Sequence, residues 1–353
     1  MGNLLDTPML DINSENLIHN NIHIQNMSMQ GFRLHMEDFY SIYYDNKYLY
    51  VGIYDGHGGE YVSAYLRDNF LKYISTTINK LKLSNGLKSI SRIINRIFIS
   101  FDKDIQKNII FSKTQGSTAV CIALSTNNII ILNCGDSRAI VYNGRDIIYE
   151  TTDFKPCNKK EANRIIQSGR SIIDNRIDGI INISRCFGDY KFKTTRSDHT
   201  HAIIALPEIK ILDSKSCKFI VLLSDGITNV MNSDDLCNYI EYNLQLNVQL
   251  SIITDNILKY CIYKQSTDNM TISIIVLYKY NFNNTLNDIE LDELDIINKR
   301  VISELKINRN KYIPYNIYKI LNLIKSIDYN LRNSAGFRYN YIKSIYDKFI
   351  KNI

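Results

Sequence analysis

The stretch Val51-Gly52-Ile53-Tyr54-Asp55-Gly56-His57-Gly58-Gly59 joins a run of β-branched and aromatic residues to a glycine-rich turn that begins with an acid. A single Asp-Gly after a predicted strand is more often a turn than a ligand, because both residues suit turn geometry. Carboxylates recur, however, at the ends of several other apolar runs. We therefore interpret these acids as a convergent set of ligands; they are Glu37, Asp38, Asp55, Asp136, Asp225 and Asp268.

Converging carboxylates repel one another, and bound cations would offset that repulsion. Oxygen ligands without a Cys or His cluster indicate Mg²⁺ or Mn²⁺ rather than zinc, and the six His residues lack zinc-protease spacing. His57 is a candidate general acid beside these acids, although a lone His is more often structural. Arg33 is a candidate for bidentate binding of a phosphate dianion, and the alternative is a surface salt bridge.

The order of the predicted elements indicates the fold class. Strands come in hairpins and helices in pairs rather than in βαβ alternation, which predicts an α+β layered domain. The predicted strands cover residues 22–29, 39–44, 48–54, 118–123, 129–133, 139–142, 219–223 and 271–278. The predicted helices cover residues 62–81, 90–101, 159–168, 234–246 and 250–263.

The end of the chain has a different pattern. A polar run at 281–287 is followed by three amphipathic segments that predict an antiparallel helical subdomain. Residues 306–353 carry a net charge of +8, whereas the rest of the chain carries −2. We expect this charge on solvated helix faces. The alternative is a nucleic-acid or anionic-membrane surface, which would need exposed aromatic residues beside the basic ones, here Tyr339, Tyr341 and Tyr346 near Arg338 and Lys343.

Composition limits the class of protein. The 353 residues are 45% hydrophobic and 22% charged, which excludes fibrous and wholly disordered classes. Seven Cys without a C-x-x-C pair are typical of free thiols in a reducing compartment. The apolar runs are shorter than the ~20 residues that span a bilayer, and the N-terminus lacks a signal-peptide pattern. We expect a soluble, monomeric protein in the cytoplasm or nucleus.

Ten short motifs follow one another in a fixed order over about 250 residues. The first is Gln30-Gly31-Phe32-Arg33 and the last is Asp268-Asn269-Met270-Thr271; two of those between are Gly116-Ser117-Thr118-Ala119 and Thr152-Asp153-Phe154-Lys155-Pro156. Together they resemble the metal-dependent serine/threonine protein phosphatases of the type 2C family, and the two ends of the chain resemble its alpha/beta-type animal members. The resemblance implies a four-layer α-β-β-α sandwich of two mostly antiparallel sheets over residues 1–282. A three-helix subdomain over residues 283–353 would follow.

The resemblance also implies two Mg²⁺ or Mn²⁺ ions bridged by Asp55. The other implied ligands are Glu37 and the Gly56 carbonyl for one ion, Asp225 and Asp268 for the other, and Asp38 through a coordinated water. Water would attack phosphorus without a phosphoenzyme. Arg33 would hold the phosphate, and His57 would protonate the leaving serine or threonine oxygen of a phosphoprotein. Residues 168–205 correspond to the family's flap beside the cleft.

Three positions depart from the family pattern. Asn229 replaces an Asp that would join Asp136 and Asp225 around a third, weaker ion, and a neutral amide predicts weak occupancy there. Phe154 replaces the usual His of an Asp-His-Lys-Pro stretch, and Cys186 replaces an Ala, where we expect it only to pack. Asn229 and Phe154 keep open the alternative of a pseudophosphatase that binds without turnover, although the core acids are all present.

Gly2, in Met1-Gly2-Asn3, is a candidate myristoylation site by the same resemblance. The motif alone is weak, because Asp6 stands where Ser or Thr is usual. A single acyl chain would give weak, reversible membrane contact. We expect phosphoprotein substrates as partners and no nucleic acid.

Overall fold

The β-branched and aromatic runs form strands, and the segments with helical spacing form helices. The computed structural model describes residues 4–108, 113–277, 288–312, 317–328 and 338–351. The described strands are β1 (Leu4–His19), β2 (Ile22–Arg33), β3 (Phe39–Tyr44), β4 (Leu49–Tyr54), β5 (Gly56–His57), β6 (Gly116–Ser117), β7 (Ala119–Leu124), β8 (Asn128–Cys134), β9 (Arg138–Tyr142), β10 (Ile147–Glu150), β11 (Ile172–Ile173), β12 (Arg176–Ile177), β13 (Phe187–Gly188), β14 (Glu208–Asp213), β15 (Phe219–Leu223) and β16 (Met270–Val276). The described helices are α1 (Tyr61–Ile78), α2 (Leu87–Asn108), α3 (Lys159–Gln167), α4 (Asp225–Thr228), α5 (Ser233–Gln245), α6 (Leu250–Tyr263), α7 (Asp288–Ile307), α8 (Arg309–Tyr312), α9 (Ile317–Asp328) and α10 (Tyr339–Lys351).

Two antiparallel sheets form the centre of the fold. One has six strands in the order β1-β2-β16-β15-β9-β10, and the other has five in the order β14-β8-β7-β4-β3. Their inner faces bury one aliphatic core, which includes Val51, Ile53, Val120, Ile220 and Ile275. The central strands are covered on both sides, which explains why their sequences are continuously apolar.

A helix pair covers the outer face of each sheet. On the five-stranded sheet, Phe70 of α1 and Phe98 of α2 pack edge to face with ring centroids 5.1 Å apart, and Tyr54 joins their cluster. On the six-stranded sheet, α5 and α6 bury Ile240 and Ile257 in the same way. The predicted four-layer α-β-β-α sandwich is therefore confirmed.

The predicted C-terminal helices are also present. The three longer helices, α7, α9 and α10, share a core in which Val301, Ile324 and Ile342 are fully buried. Tyr339 and Tyr346 belong to that core too, so they are not the exposed aromatic residues that a nucleic-acid surface would need. The predicted domain boundary at 282/283 falls in residues 278–287, which lie outside the described residues, as does Gly2.

The sequence pattern missed three edge strands of the two main sheets. The longest is β1, which pairs with β2 through a turn at Asn20 and Asn21, both with positive φ. This geometry is typical of a type I′ hairpin. Most β1 side chains are at least partly exposed, so the strand has no apolar alternation to detect. The other two, β10 and β14, lie at sheet edges and are also only partly buried.

Among the described residues, no helix combines the length and the apolar character needed to cross a membrane.

Candidate metal centre

The sheets place the predicted acids where strands end. Asp55 follows β4, Asp268 precedes β16, and Asp225 opens the one-turn helix α4 directly after Ser224. The sequence pattern had placed Asp225 at a strand end; it begins a helix instead. Glu37 and Asp38 lie in the connection between β2 and β3.

Three of these acids, Asp55, Asp225 and Asp268, line a cleft of about 400 Å³. The cleft is lined by Arg33, Asp55, Gly56, His57, Asp136, Asp225, Asn229 and Asp268, among others. Asp38 is buried, accepts a hydrogen bond from Thr271 Oγ1 at 2.8 Å, and does not line this cleft; neither does Glu37. In the part of the chain that the structure describes, no three of the predicted acids have ligand oxygens within 4.8 Å of one another. Asp55, Asp136, Asp225 and Asp268 therefore border a cleft rather than enclose one point, and Glu37 and Asp38 lie outside its lining.

Two glycines let backbone segments approach one another closely here. A Cβ on Gly56 would lie 2.4 Å from the Glu37 carbonyl oxygen and from Ser63 Oγ. A Cβ on Gly226 would lie 1.9 Å from the Asn269 carbonyl oxygen. The Asn269 side chain ties the same segments together, because its Oδ1 accepts from the Glu37 backbone N–H at 2.8 Å. Only glycine allows this packing, which brings the segments of Glu37 and Asp268 to the segments of Asp55 and Asp225.

The electrostatics of the cleft disfavour several simultaneous negative charges. Burial, followed by repulsion from Asp38 and Asp225, raises the pKa of Asp55 well above its ordinary value. Burial raises the pKa of Asp38 to about 7. Burial and the charge of Asp136 raise the pKa of Asp225 to about 8. Such a set of oxygen donors fits hard divalent cations, which would remove the repulsion.

Arg33 provides positive charge at the cleft. Its Nη2 lies 2.5 Å from Asp268 Oδ2, and its Nε donates to the Thr267 carbonyl at 3.2 Å. The Arg33 side chain remains 42% exposed. The guanidinium is thus held in place at one edge and accessible to a ligand.

His57 is oriented by an acid that sequence reasoning did not assign a role. Its Nε2 lies 2.5 Å from Asp189 Oδ2, and that carboxylate is almost completely buried. Burial acts to lower the pKa of His57, but the charge of Asp189 and its hydrogen bond outweigh burial and raise that pKa. Asp189 lies within the predicted flap, residues 168–205, and the need of a general-acid His for an orienting partner was the signal that could have identified it.

The residues predicted to hold a third ion carry less uncompensated negative charge than the acids around Asp55. Asp136 is buried and forms an ion pair with Lys155. Asn229 lines the cleft near Asp225, and its backbone N–H donates to the Asp225 carbonyl at 2.9 Å. Lys155 therefore already supplies part of the positive charge that a third ion would bring.

The segment predicted as the flap contributes one wall of the cleft through Arg176 and Ile180–Ile183. At its base, Glu161 accepts hydrogen bonds from Arg185 Nη2 at 2.7 Å and Arg164 Nη1 at 2.8 Å. Arg185 also lies over the ring of Phe154, 3.6 Å from its centroid. This contact gives Phe154, the residue that replaces the family's His, a physical role as a support for Arg185.

Comparison with known proteins agrees with this geometry. The family model described as Protein phosphatase 2C matches residues 22–270, more than half of the chain. The chain belongs to the protein phosphatase 2C family. This is a metal-dependent family, and the resemblance drawn from the motifs is confirmed.

Named relatives of this phosphatase 2C chain include Protein phosphatase 1B of Homo sapiens, 31% identical over 293 residues, with 78% of this chain and 61% of the relative covered. Protein phosphatase 1A of Homo sapiens is 30% identical, with 78% and 76% covered. The chain spans about three-fifths of the length of the human and bovine Protein phosphatase 1B sequences. A crystal structure of a phosphatase from a pathogenic strain of Toxoplasma gondii has the same fold, with a TM-score of 0.66, 19% identity, and 77% of this chain and 97% of that chain covered.

Proposed function

We propose that this chain hydrolyses phosphoserine and phosphothreonine in proteins with the help of two Mg²⁺ or Mn²⁺ ions. The observation that carries the proposal is the set of mutually repelling carboxylates around Asp55, beside Arg33 and His57 in one cleft. Family membership supports the same reaction class. The serine/threonine specificity accords with a structural neighbour titled serine-threonine phosphatase 2C from Toxoplasma gondii.

The oxygen donors would be divided between two ions. Asp55 would contact both ions, Glu37 and the Gly56 carbonyl would complete one site, and Asp225 and Asp268 would complete the other. Asp38 would contact the metal only through a coordinated water, which is consistent with its buried position beside Thr271. When bound, the ions would supply an activated water and offset the charge of the phosphate.

The remaining steps depend on side chains of this chain. Arg33 uses Nη2 and Nε for its bonds to Asp268 and Thr267, which leaves Nη1 for a phosphate oxygen within the described structure. His57, held at Nε2 by Asp189, would give a proton to the departing serine or threonine oxygen. Asp189 is a positioning residue in this scheme, because it acts through His57.

The test is hydrolysis of a phosphothreonine peptide by chelator-treated protein, with and without added Mn²⁺ or Mg²⁺. The proposal predicts no turnover in chelator and recovery with either ion. A companion assay compares His57→Gln with wild type on the peptide and on an aryl phosphate. The peptide rate should fall further, because an aryl oxide leaves with little protonation. Full turnover in excess chelator would reject the metal-dependent reaction, and equal losses on both substrates would reject the role of His57.

A pseudophosphatase would need a missing core residue. All the core acids are present, and Asn229 affects only the third position. We therefore propose an active enzyme.

A further inference from the structure

A second cluster of ligand-type side chains lies at the wall of the acidic cleft. Ligand atoms of His57, Cys186 and Asp189 all lie within 4.8 Å of one another. Asp189 Oδ2 is 2.5 Å from His57 Nε2 and 3.0 Å from Cys186 Sγ, whose thiol donates to it. An imidazole nitrogen, a sulfur and a carboxylate oxygen thus meet at one place, and none of the proposed Mg²⁺ or Mn²⁺ ligands is among them.

A small sheet fixes this arrangement. β6 pairs with β5 on one side and β13 on the other, so that Gly116 lies opposite both His57 and Gly188. Cys186 and Asp189 flank β13 directly. A Cβ at position 116 would lie 2.3 Å from Asp189 Oδ2 and 2.5 Å from His57 Nε2, so glycine is what lets the two side chains meet. The cluster is therefore held by paired backbone rather than by a loop.

We propose that His57, Cys186 and Asp189 form a zinc site that inhibits the phosphatase by occupying His57. The inhibition rests on the proposed function, whereas the binding of zinc does not.

The donor set selects zinc over the ions of the acidic cleft. Zinc takes nitrogen, sulfur and oxygen ligands in tetrahedral geometry, and three protein ligands leave a fourth position for water or substrate. Mg²⁺ and Mn²⁺ favour oxygen and avoid sulfur. With Zn–S near 2.3 Å and Zn–N near 2.0 Å, His57 Nε2 and Cys186 Sγ each need to move away from Asp189 Oδ2 by about 1 Å or less.

The charges balance when zinc binds. One thiolate and one carboxylate neutralise the two charges of the ion, and His57 binds as neutral imidazole. Binding releases the thiol proton of Cys186, and any proton on His57 Nε2, to solvent. The nearby Lys193 is already paired, since its Nζ donates to Asp102 Oδ2 at 2.7 Å, so it adds no unbalanced positive charge.

The site is accessible from the cleft. His57 and Asp189 both line the cleft, and the His57 side chain is 29% exposed. Cys186 is fully buried behind them. An ion that enters the cleft would meet His57 first and Cys186 last.

The first experiment measures binding without catalysis, with Cd²⁺ as the probe because its thiolate complexes absorb in the ultraviolet. The protein carries Cys157→Ala, which removes an exposed thiol, and Mg²⁺ fills the acidic cleft. We expect one equivalent of the thiolate band, which disappears when Cys186→Ser is added. Cys261→Ala, at a buried thiol in α6, is the matched control and should keep the band. An unchanged band in the Cys186→Ser protein would overturn the site.

The second experiment measures zinc inhibition of phosphopeptide hydrolysis at two saturating Mn²⁺ concentrations. Cys186→Ala and Cys186→Ser should keep the Mn²⁺-supported rate and require at least about tenfold more zinc for half inhibition. Zinc that merely displaced Mn²⁺ would inhibit all variants alike and would weaken as Mn²⁺ rises, which would overturn the proposal. An inactive wild type would reject the proposed function, while the Cd²⁺ band would still decide the site.

Zinc-edge X-ray absorption of the Cys157→Ala protein, loaded with one equivalent of zinc, needs no substitution in the site. One sulfur in the ligand shell supports the proposal, and a shell of only nitrogen and oxygen overturns it.

Discussion

Two clusters of charged side chains in this chain are assembled in opposite ways. Around Asp55, the neighbouring charges of Asp38, Asp225 and Asp268 have the same sign, and burial with this repulsion raises the pKa of Asp55. At the base of the flap, Glu161 lies between Arg164 and Arg185. Burial acts to raise the pKa of Glu161, but the hydrogen bond and charge of Arg185 outweigh burial and lower that pKa.

This difference in charge is what we expect between a binding site and a structural support. The Glu161 cluster satisfies its own charges, and its arginines also donate to the backbone carbonyls of His201 and Leu206, which ties the flap to α3. In the Asp55 cluster the carboxylates repel one another, and bound cations would offset that repulsion. Substitutions in the Asp55 cluster should therefore affect activity, and substitutions in the Glu161 cluster should affect stability.

The largest expected effect is on catalysis. Asp55→Ala should lower kcat on a phosphothreonine peptide by several orders of magnitude, because it removes the residue proposed to contact both ions. Its thermal stability in chelator should equal or exceed that of wild type, since one repelling charge is gone. Steady-state kinetics and a melting curve on the same preparation check both parts. A variant that stays active, or that melts earlier than wild type in chelator, would contradict the comparison.

Glu161→Gln should have the largest effect on stability. It leaves two partly buried arginines without the buried carboxylate that they share, and breaking a buried ion pair costs about 3–5 kcal/mol. Asp68→Asn is the matched control, because the exposed Arg67–Asp68 pair is worth about 0–1 kcal/mol. Urea unfolding at neutral pH measures both variants. Equal small losses would show that the Glu161 cluster is not a structural support.

The pH dependence should follow the lowered pKa of Glu161. A carboxylate whose folded pKa is depressed contributes stability that is present above its unfolded value, near 4.5, and is lost as pH falls through the folded pKa. The difference in unfolding free energy between wild type and Glu161→Gln should therefore be constant near neutral pH and shrink below about pH 4.5. Urea unfolding at several pH values checks this. A difference that grew on acidification would have the wrong sign.

The sequence predicted the layers of this fold because the buried strands are continuously apolar and the helices are amphipathic. It did not predict β1, since its side chains are mostly exposed and its place in the sheet depends on pairing with β2. Strand ends and motif order predicted the acids of the cleft. The roles of these residues, beyond their positions, stay predictions.

Contacts between side chains that are distant in the chain could not be predicted from the sequence. Asp189 lies 132 residues from His57, and no local pattern indicates that their side chains meet. The ion pair between Lys155 and Asp136 and the stacking of Arg185 on Phe154 depend in the same way on the packed backbone. Cys186 was expected only to pack, yet its thiol reaches Asp189.

The smallest expected effect is at the third position. Asn229→Asp adds a carboxylate beside Asp136 and Asp225, which should lower the Mn²⁺ concentration for half-maximal rate. The shift should be modest, because Lys155 already pairs with Asp136. Metal titrations of wild type and Asn229→Asp on one phosphopeptide measure it. Superimposable curves would show that the residue at position 229 does not affect the metal dependence of the rate.

The central claim is that the Asp55 cluster lacks positive charge that divalent ions supply, and calorimetric titration of Mn²⁺ into chelator-stripped protein tests it most directly. We predict two tightly bound ions in wild type, accompanied by a higher melting temperature because the ions bind the folded state. Asp55→Asn should lose the tight binding, and Glu161→Gln should keep it at a temperature where it is folded. Absence of tight binding to wild type, or the same binding to Asp55→Asn, would contradict the account.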